Sequence, residues 1–427
     1  MSQLNRKSAP IINPISTIPF ILPEKWNLSN GIPVWSLKAG SQELVKIDFI
    51  FDAGSWYQSQ NLVAGLSNAF LNQGSTKYTA QEIAEVFDSR GAYLQLSADQ
   101  QFGNVSILTL TKYLNDILDV TADIIKHPTF PEKEVATHIA KRKQQFIVEN
   151  NKVKTLALKK FTQVLFGEGH PYANTNTIND FDQLTREDVR LFHSENYRFN
   201  RCKIVVAGNF DNSLNSLLDA YFGDHFNDGD TIQPAHKPQP AVEKQHFIKK
   251  DDAVQSAVRI GKQLVNRDHP DFHGLSILTT ILGGYFGSRL MANIREEKGY
   301  TYGIGATIVT FQHASYITIS TEVGTDVCKQ AVAEIYSEIE KLIHEPVQAE
   351  ELDVVKNYLM GDMLRNFDGV FALSGSLRTL VESALDYTHY ESYIDELKNI
   401  TPERLQWLAQ SYFQPDSWYE VVAGKNS

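Results

Sequence analysis

Residues 185–210, TREDVRLFHSENYRFNRCKIVVAGNF, and residues 401–426, TPERLQWLAQSYFQPDSWYEVVAGKN, follow one plan twice. Thr185 aligns with Thr401, Tyr197 with Phe413 and Gly208 with Gly424, at a constant offset of 216 residues. In each copy a threonine stands before an amphipathic run. Its hydroxyl can accept a bond from a free amide of the first turn, which predicts a helix start. An aromatic residue closes the helix, and a run ending in Val-Val-Ala-Gly predicts a strand. The same offset pairs the turn PTFPEKE near Pro131 with EPVQAEE near Val347. Long amphipathic segments, YLNDILDVTADIIKH and AVAEIYSEIEKLIHE, precede these turns and further ones follow. The chain is therefore an internal duplication.

Between the copies, residues 227–243 (NDGDTIQPAHKPQPAVE) are rich in Asp, Gly and Pro and carry no periodic element, so they read as a linker. That divides the chain into a first domain, 1–226, and a second, 244–427. Alternating stretches such as VKIDFIFDAGSW and HASYITISTEVG suit antiparallel strands with one buried face. The long helices are expected to cover that face. The fold class is α+β: two homologous domains, each an antiparallel-rich sheet packed against long helices.

A chain of 427 residues suits two cores better than one. The formal charge of -11, with Lys and Arg scattered, argues against nucleic acid or an acidic membrane as partner. No apolar run reaches the length of a transmembrane helix, so no membrane insertion is expected. The opening residues, MSQLNRKSAPIINPISTIPFILPEK, make no convincing signal peptide, and the cytoplasm is the expected location. The two cysteines, Cys202 and Cys328, lie in different halves and suggest neither a disulfide framework nor a thiolate metal site. Cys202 reads as a small residue of a buried strand. No Walker loop, dinucleotide fingerprint or GxSxG elbow is present.

A resemblance now becomes specific. NGIPVW, FDAGS, GSTKYTAQEIAEVFDSRGAYL, LFGEGHPYA and VVAG in the first half, and ILGGYFGSRLMANIREEKGYTYGIGA in the second, occur in this order along nearly the whole chain. They resemble the pitrilysin-type (M16) zinc peptidase superfamily. Active members carry HxxEH on the first long helix, just before a Gly-Thr turn. Two imidazoles four residues apart face one way and bind zinc, and the Glu between them activates the metal-bound water. A Glu on a later helix is the third ligand.

Here the turn is Gly74-Ser75, and the resemblance places the motif on Gly65, Leu66, Ser67, Asn68 and Ala69. Gly65 and Ala69 offer no ligand atom, and the Asn68 amide cannot act as a base. The third-ligand position falls between Gln145 and Glu149, and one carboxylate without the imidazoles does not hold zinc. No HxxEH or HExxH occurs elsewhere, so no metal and no other cofactor is expected in this chain. Among the twelve histidines only His269 and His273 stand four apart, in DHPDFHG, where Pro270 predicts the first turn of a helix with Asp268 as its cap. A surface or capping role is expected for them, and local packing for His170.

The superfamily's second domain contributes an Arg and a Tyr seven residues apart, and IREEKGYTYGIGA supplies Arg295 and Tyr302 at that spacing. The resemblance implies hydrogen bonds to substrate carbonyls and stabilisation of an oxyanion. It also implies that Gly283, Gly284, Gly287 and Ser288, in GGYFGSRL, line the substrate chamber. The bland alternative is a surface Arg on a helix ending at Gly299 and a strand Tyr that merely packs. The pattern resembles the Arg/Tyr-bearing member of two-subunit M16 peptidases. The expected partner is then an HxxEH-bearing subunit that holds zinc and meets this chain as a heterodimer. A homodimer would be open to the isolated chain, and the substrate would be an extended, unfolded peptide. The other expectation is a non-proteolytic structural or protein-binding subunit, resembling the core proteins of respiratory complexes. In neither case does the chain hydrolyse peptides alone.

Overall fold

The computed structural model describes residues 15, 18, 20–173, 175–229 and 234–425. The first half contains strands β1 (Glu24–Asn27), β2 (Pro33–Lys38), β3 (Leu44–Phe51), β4 (Tyr93–Ala98), β5 (Gly103–Leu110) and β6 (Cys202–Gly208). Its helices are α1 (Val63–Ala69), α2 (Ala80–Ser89), α3 (Leu114–Lys126), α4 (Glu132–Glu149), α5 (Val153–Phe166), α6 (Ile178–Gln183), α7 (Arg186–Asn196) and α8 (Ser213–Phe222). The second half contains β7 (Gln245–Lys249), β8 (Gln255–Leu264), β9 (Ile304–Thr310), β10 (Ser315–Gly324) and β11 (Tyr419–Gly424). With them run α9 (Phe272–Thr279), α10 (Cys328–His344), α11 (Ala349–Asn366), α12 (Val370–Glu382), α13 (Thr388–Asn399) and α14 (Pro402–Tyr412). Two wide, π-helical turns, Thr280–Gly284 and Met291–Glu297, replace regular helix between α9 and β9. No helix among the described residues is long and apolar enough to cross a membrane.

The duplicated segment folds as its pattern predicts. Thr185 accepts a bond from the Asp188 amide, and Asp188 reaches back to Thr185 to complete a capping box. Thr401 accepts from the Arg404 amide, with Pro402 opening the helix. Tyr197 and Phe413 close the two helices, and both are fully buried. The first sheet has the order β1-β2-β6-β3-β5-β4 and the second β7-β11-β8-β10-β9. Apart from the extra β1 the two are the same sheet, in which only β2–β6 and β7–β11 pair parallel. Register makes the equivalence residue by residue. Ala207 lies opposite Lys46, and Ala423, its repeat mate, lies opposite Ala257. Lys46, Asp48 and Ile50 therefore correspond to Ala257, Arg259 and Gly261.

One face of each sheet is covered by helices of its own half, as expected. Ile47, Phe49, Val105 and Val206 pack with residues of α1, α3, α7 and α8, and Val258, Ile260, Ile317 and Ile319 with residues of α9, α10 and α14. The other face is covered by a helix from the opposite half. Helix α5 lies across β8 and β11, and α12 lies across β6 and β2. Phe161 of α5 packs directly on the β8 backbone, where a Cβ at Gly261 would come within 2.6 Å of its ring. Its repeat mate Leu377 is buried in the cluster that holds Ile50. A large helix residue over glycine in one sheet becomes a smaller one beside isoleucine in the other, which conserves volume. The repeat boundary at 227–243 thus divides the sequence but does not separate two packing units. The linker itself is fastened to the first half, with Gln239 N donating to Phe166 O and Ala241 N to Val164 O, both at 2.8 Å.

Candidate functional site

Helix α1 holds the five positions at which the resemblance places HxxEH. Asn68 is 1% exposed. Its Nδ2 donates to the Asn104 carbonyl oxygen and to the Tyr197 hydroxyl, both at 3.0 Å. Ser67, also buried, donates to the Val189 carbonyl oxygen at 3.1 Å. Burial pushes the Tyr197 phenol well above its ordinary pKa, so it stays a neutral hydroxyl. The position at which the resemblance places the catalytic base is thereby tied into the core by a neutral amide. Gly65 is exposed, and a Cβ built there would meet no described atom within 4 Å. Gln145 and Glu149 lie on one face of α4, both exposed, and Glu149 pairs with Lys152 at 2.6 Å. Among the described residues no group of three or more His, Cys, Asp or Glu is placed to hold a metal ion.

The histidines singled out by spacing do not form a site either. Helix α9 begins at Phe272 with Asp271 before it, so Asp268 is not its cap and His269 lies outside the helix. Asp271 instead accepts from the Tyr412 hydroxyl and from Arg404. His273 packs against the His389 ring at 4.6 Å, and burial lowers its pKa to about 4, so it is neutral near pH 7. His170 is buried, stacked on Phe166 at 5.3 Å, and also held neutral by burial, at about 4. Cys202 is buried in β6, and burial raises its thiol pKa.

Arg295 and Tyr302 come together at the end of the second π-helical turn. Arg295 Nε donates to the Tyr302 carbonyl oxygen at 3.1 Å, and its guanidinium lies 4.6 Å from the centroid of the exposed Phe286 ring. It is 3.7 Å from the Glu296 carboxylate. The helical segment does not run on, because Gly299 takes a left-handed φ of 65°. Tyr302 is 96% exposed. It precedes β9 and does not lie within a strand. Of the glycine cluster, Gly284 and Gly287 are exposed while Gly283 and Ser288 are buried. Gly283 allows close approach of the π-helical turn to β9, since a Cβ there would lie 2.5 Å from the Ala306 nitrogen.

Beside Tyr302 opens a cleft of about 370 Å³, lined also by Lys154 of α5 and Arg259 of β8. Spacing does not single out these two cations. The available signal for Arg259 was a charge inside QSAVRIGKQL on the face that it shares with Ala257 and Gly261, whereas the other charge of that run, Lys262, alternates to the opposite face. The partners of Asn68 were missed as well. The signal there was the single hydroxyl by which Tyr197 differs from its repeat mate Phe413.

Comparison with known proteins agrees with this geometry. Residues 34–173 match the family model "Insulinase (Peptidase family M16)", and residues 183–359 match "Peptidase M16 inactive domain". The chain is 25% identical over 409 residues to the "Uncharacterized zinc protease YmxG" of Bacillus subtilis (strain 168), covering 92% of this chain and 96% of that protein. It is 22% identical over 340 residues to the "Non-peptidase homolog YmxG" of Helicobacter pylori (strain ATCC 700392 / 26695), covering 75% of each. Among solved structures, the peptidase M16 inactive domain from Pseudomonas fluorescens superposes with a TM-score of 0.87 at 23% identity, covering 95% of this chain and 98% of that one. A chain of Complex III2 from Candida albicans gives 0.74 at 14% identity, covering 94% and 95%. Two M16 models on the two halves of a duplicated fold, with a relative named as a non-peptidase homologue, leave one assignment: the chain belongs to the M16 (pitrilysin/insulinase) peptidase superfamily, which includes inactive members.

Proposed function

We propose that this chain is a non-hydrolytic M16-type subunit, which binds a partner protein or an extended polypeptide and does not cut it. The observation that carries this reading is Asn68. Where the family's base would activate water, a neutral amide spends both hydrogens on core acceptors, and the flanking positions Gly65 and Ala69 carry no ligand atom. The fold is compatible with residence in a larger assembly, since it recurs in the Complex III2 chain.

A second reading is favoured by the near-complete exposure of Tyr302 beside Arg295. In it the chain pairs with an HxxEH subunit that holds zinc, and presents the Arg/Tyr pair in trans to the peptide. The two readings separate in one experiment. The tagged full chain is isolated from its native cells, the companion proteins are identified, and the complex is assayed for peptide hydrolysis. The first reading expects a companion without HxxEH, no hydrolysis, and complex formation unaffected by Arg295→Ala or Tyr302→Phe. An HxxEH companion, with chelator-sensitive hydrolysis lost in Arg295→Ala, would replace it by the second.

A further inference from the structure

The pseudo-symmetry of the two sheets supplies a comparison within one molecule. Asp48 on β3 is fully buried under α12, where Arg378 approaches it at 3.5 Å and Lys46 at 3.0 Å, and Ser106 donates a hydrogen bond to it. Arg378 is in turn paired with Glu382 at 2.6 Å. The equivalent of Asp48 in the second sheet is Arg259, which faces α5. The offset of 216 maps Arg378 onto Thr162 and Glu382 onto Phe166. Neither can neutralise a guanidinium. In the first sheet the buried charge is answered by the exchanged helix, and in the second it is not.

Arg259 makes no hydrogen bond or ion pair among the described residues, although burial works against its charge. Glu322 shares the cleft and exerts only a through-space attraction, without an ion pair. Lys154, at the start of α5, is likewise unpaired and lines the same cleft, so the cations outnumber the carboxylate there. A half-desolvated, unpaired guanidinium is costly to keep, and a planar fork of donors matches a carboxylate in two-point geometry. The volume of about 370 Å³ accommodates a side chain or a chain end, not a folded domain. Exposed Tyr302 forms the rim, so a ligand held here would run past the Arg295–Tyr302 pair.

We propose that this cleft binds a carboxylate carried by an extended polypeptide, with Arg259 as its main contact and Lys154 as the second. The inference rests on the polypeptide-binding form of the function above and names the group recognised. The carboxylate has two sources, an acidic side chain or a C-terminus.

The test uses the full-length chain and labelled unstructured peptides of about twelve residues. They carry Glu or Gln at the centre, each with a free or an amidated C-terminus, and binding is read by fluorescence anisotropy. The expected result is a preference of about ten-fold or more for one carboxylate-bearing form over its neutral counterpart, as a charge-assisted bond gives. The preferred arm names the source. Arg259→Gln removes the preference without lowering the melting temperature, because no internal bond is lost, and Lys154→Ala reduces it in part. Equal binding of all peptides, a preference that survives Arg259→Gln, or no binding at all would overturn the inference. Binding without charge preference would do so while leaving the polypeptide-binding role intact, and the companion-protein experiment is independent of Arg259.

Discussion

The two hydrogens of the Asn68 amide go to the Asn104 carbonyl oxygen and the Tyr197 hydroxyl, at 3.0 Å each, in a place closed to water. Tyr197 ends α7, and its ring stacks on His193 with centroids 5.0 Å apart. Losing the amide would leave a buried hydroxyl and a buried carbonyl short of a partner, which costs more than a bond exchanged with water. Asn68→Ala is therefore expected to destabilise the chain by about 2–3 kcal/mol, read as a lower midpoint in urea unfolding at unchanged slope. In a Tyr197→Phe background the same substitution should cost less, because the hydroxyl is no longer orphaned. Equal costs in the two backgrounds would show that the pair is not coupled. That Gly65 and Ala69, where the resemblance places the two imidazoles, offer no ligand atom was readable from their residue types. That Asn68 has become a structural residue was not, because its partners lie 36 and 129 positions away.

At the scale of elements, α5 and α12 are the pieces that make the duplication into one body. Helix α12 carries Arg378, which bridges Glu382 on its own helix and Asp48 on the sheet of the other half. Asp48 is fully buried, so removing Arg378 leaves it with Lys46 alone as counter-charge. Arg378→Met should cost about 3 kcal/mol, in the range for breaking a buried pair. In a double-mutant cycle Asp48→Asn should recover part of that loss, and strictly additive effects would deny the bridge. The helices and strands themselves were legible, because periods of 3.6 and 2 are local properties of sequence. Thr185 and Thr401 even fixed where two helices start. The exchange was not legible. An apolar stripe such as Ala157, Phe161, Val164 and Leu165 says that a face is buried and nothing about which sheet buries it. The π-helical turns at Thr280–Gly284 and Met291–Glu297 were hidden for a related reason, since an amphipathic run does not report one extra residue per turn.

For the whole molecule, the exchange sets how the halves must fold. Without α12, the first sheet would present Ile50, Val205 and Ala207 to water, and without α5 the second would present Ala257, Tyr316, Val421 and Ala423. Each uncovered face would expose these apolar side chains together with the charges set among them, Lys46 and Asp48 in the first sheet and Arg259 in the second, and exposed apolar surface drives association. Neither half therefore has a complete core, although each has its own sheet and most of its own helices. Heat should unfold the chain in one transition, with calorimetric and van't Hoff enthalpies in agreement, despite the clear boundary in the sequence. A fragment ending in the linker, residues 1–233, should form a soluble aggregate or fail to fold when made alone. Co-expressed with residues 234–427 it should give a stable one-to-one complex, because each piece supplies the helix the other lacks. Two separated calorimetric transitions, or a folded monomeric fragment, would mean that α5 and α12 are late additions to cores already complete. The single-body outcome has a functional consequence. Lys154 comes from the first half and Arg259 and Tyr302 from the second, so the cleft exists only while the exchange is in place. Substitutions that loosen α5 from β8, such as Gly261→Val under the Phe161 ring, should then weaken peptide binding along with stability.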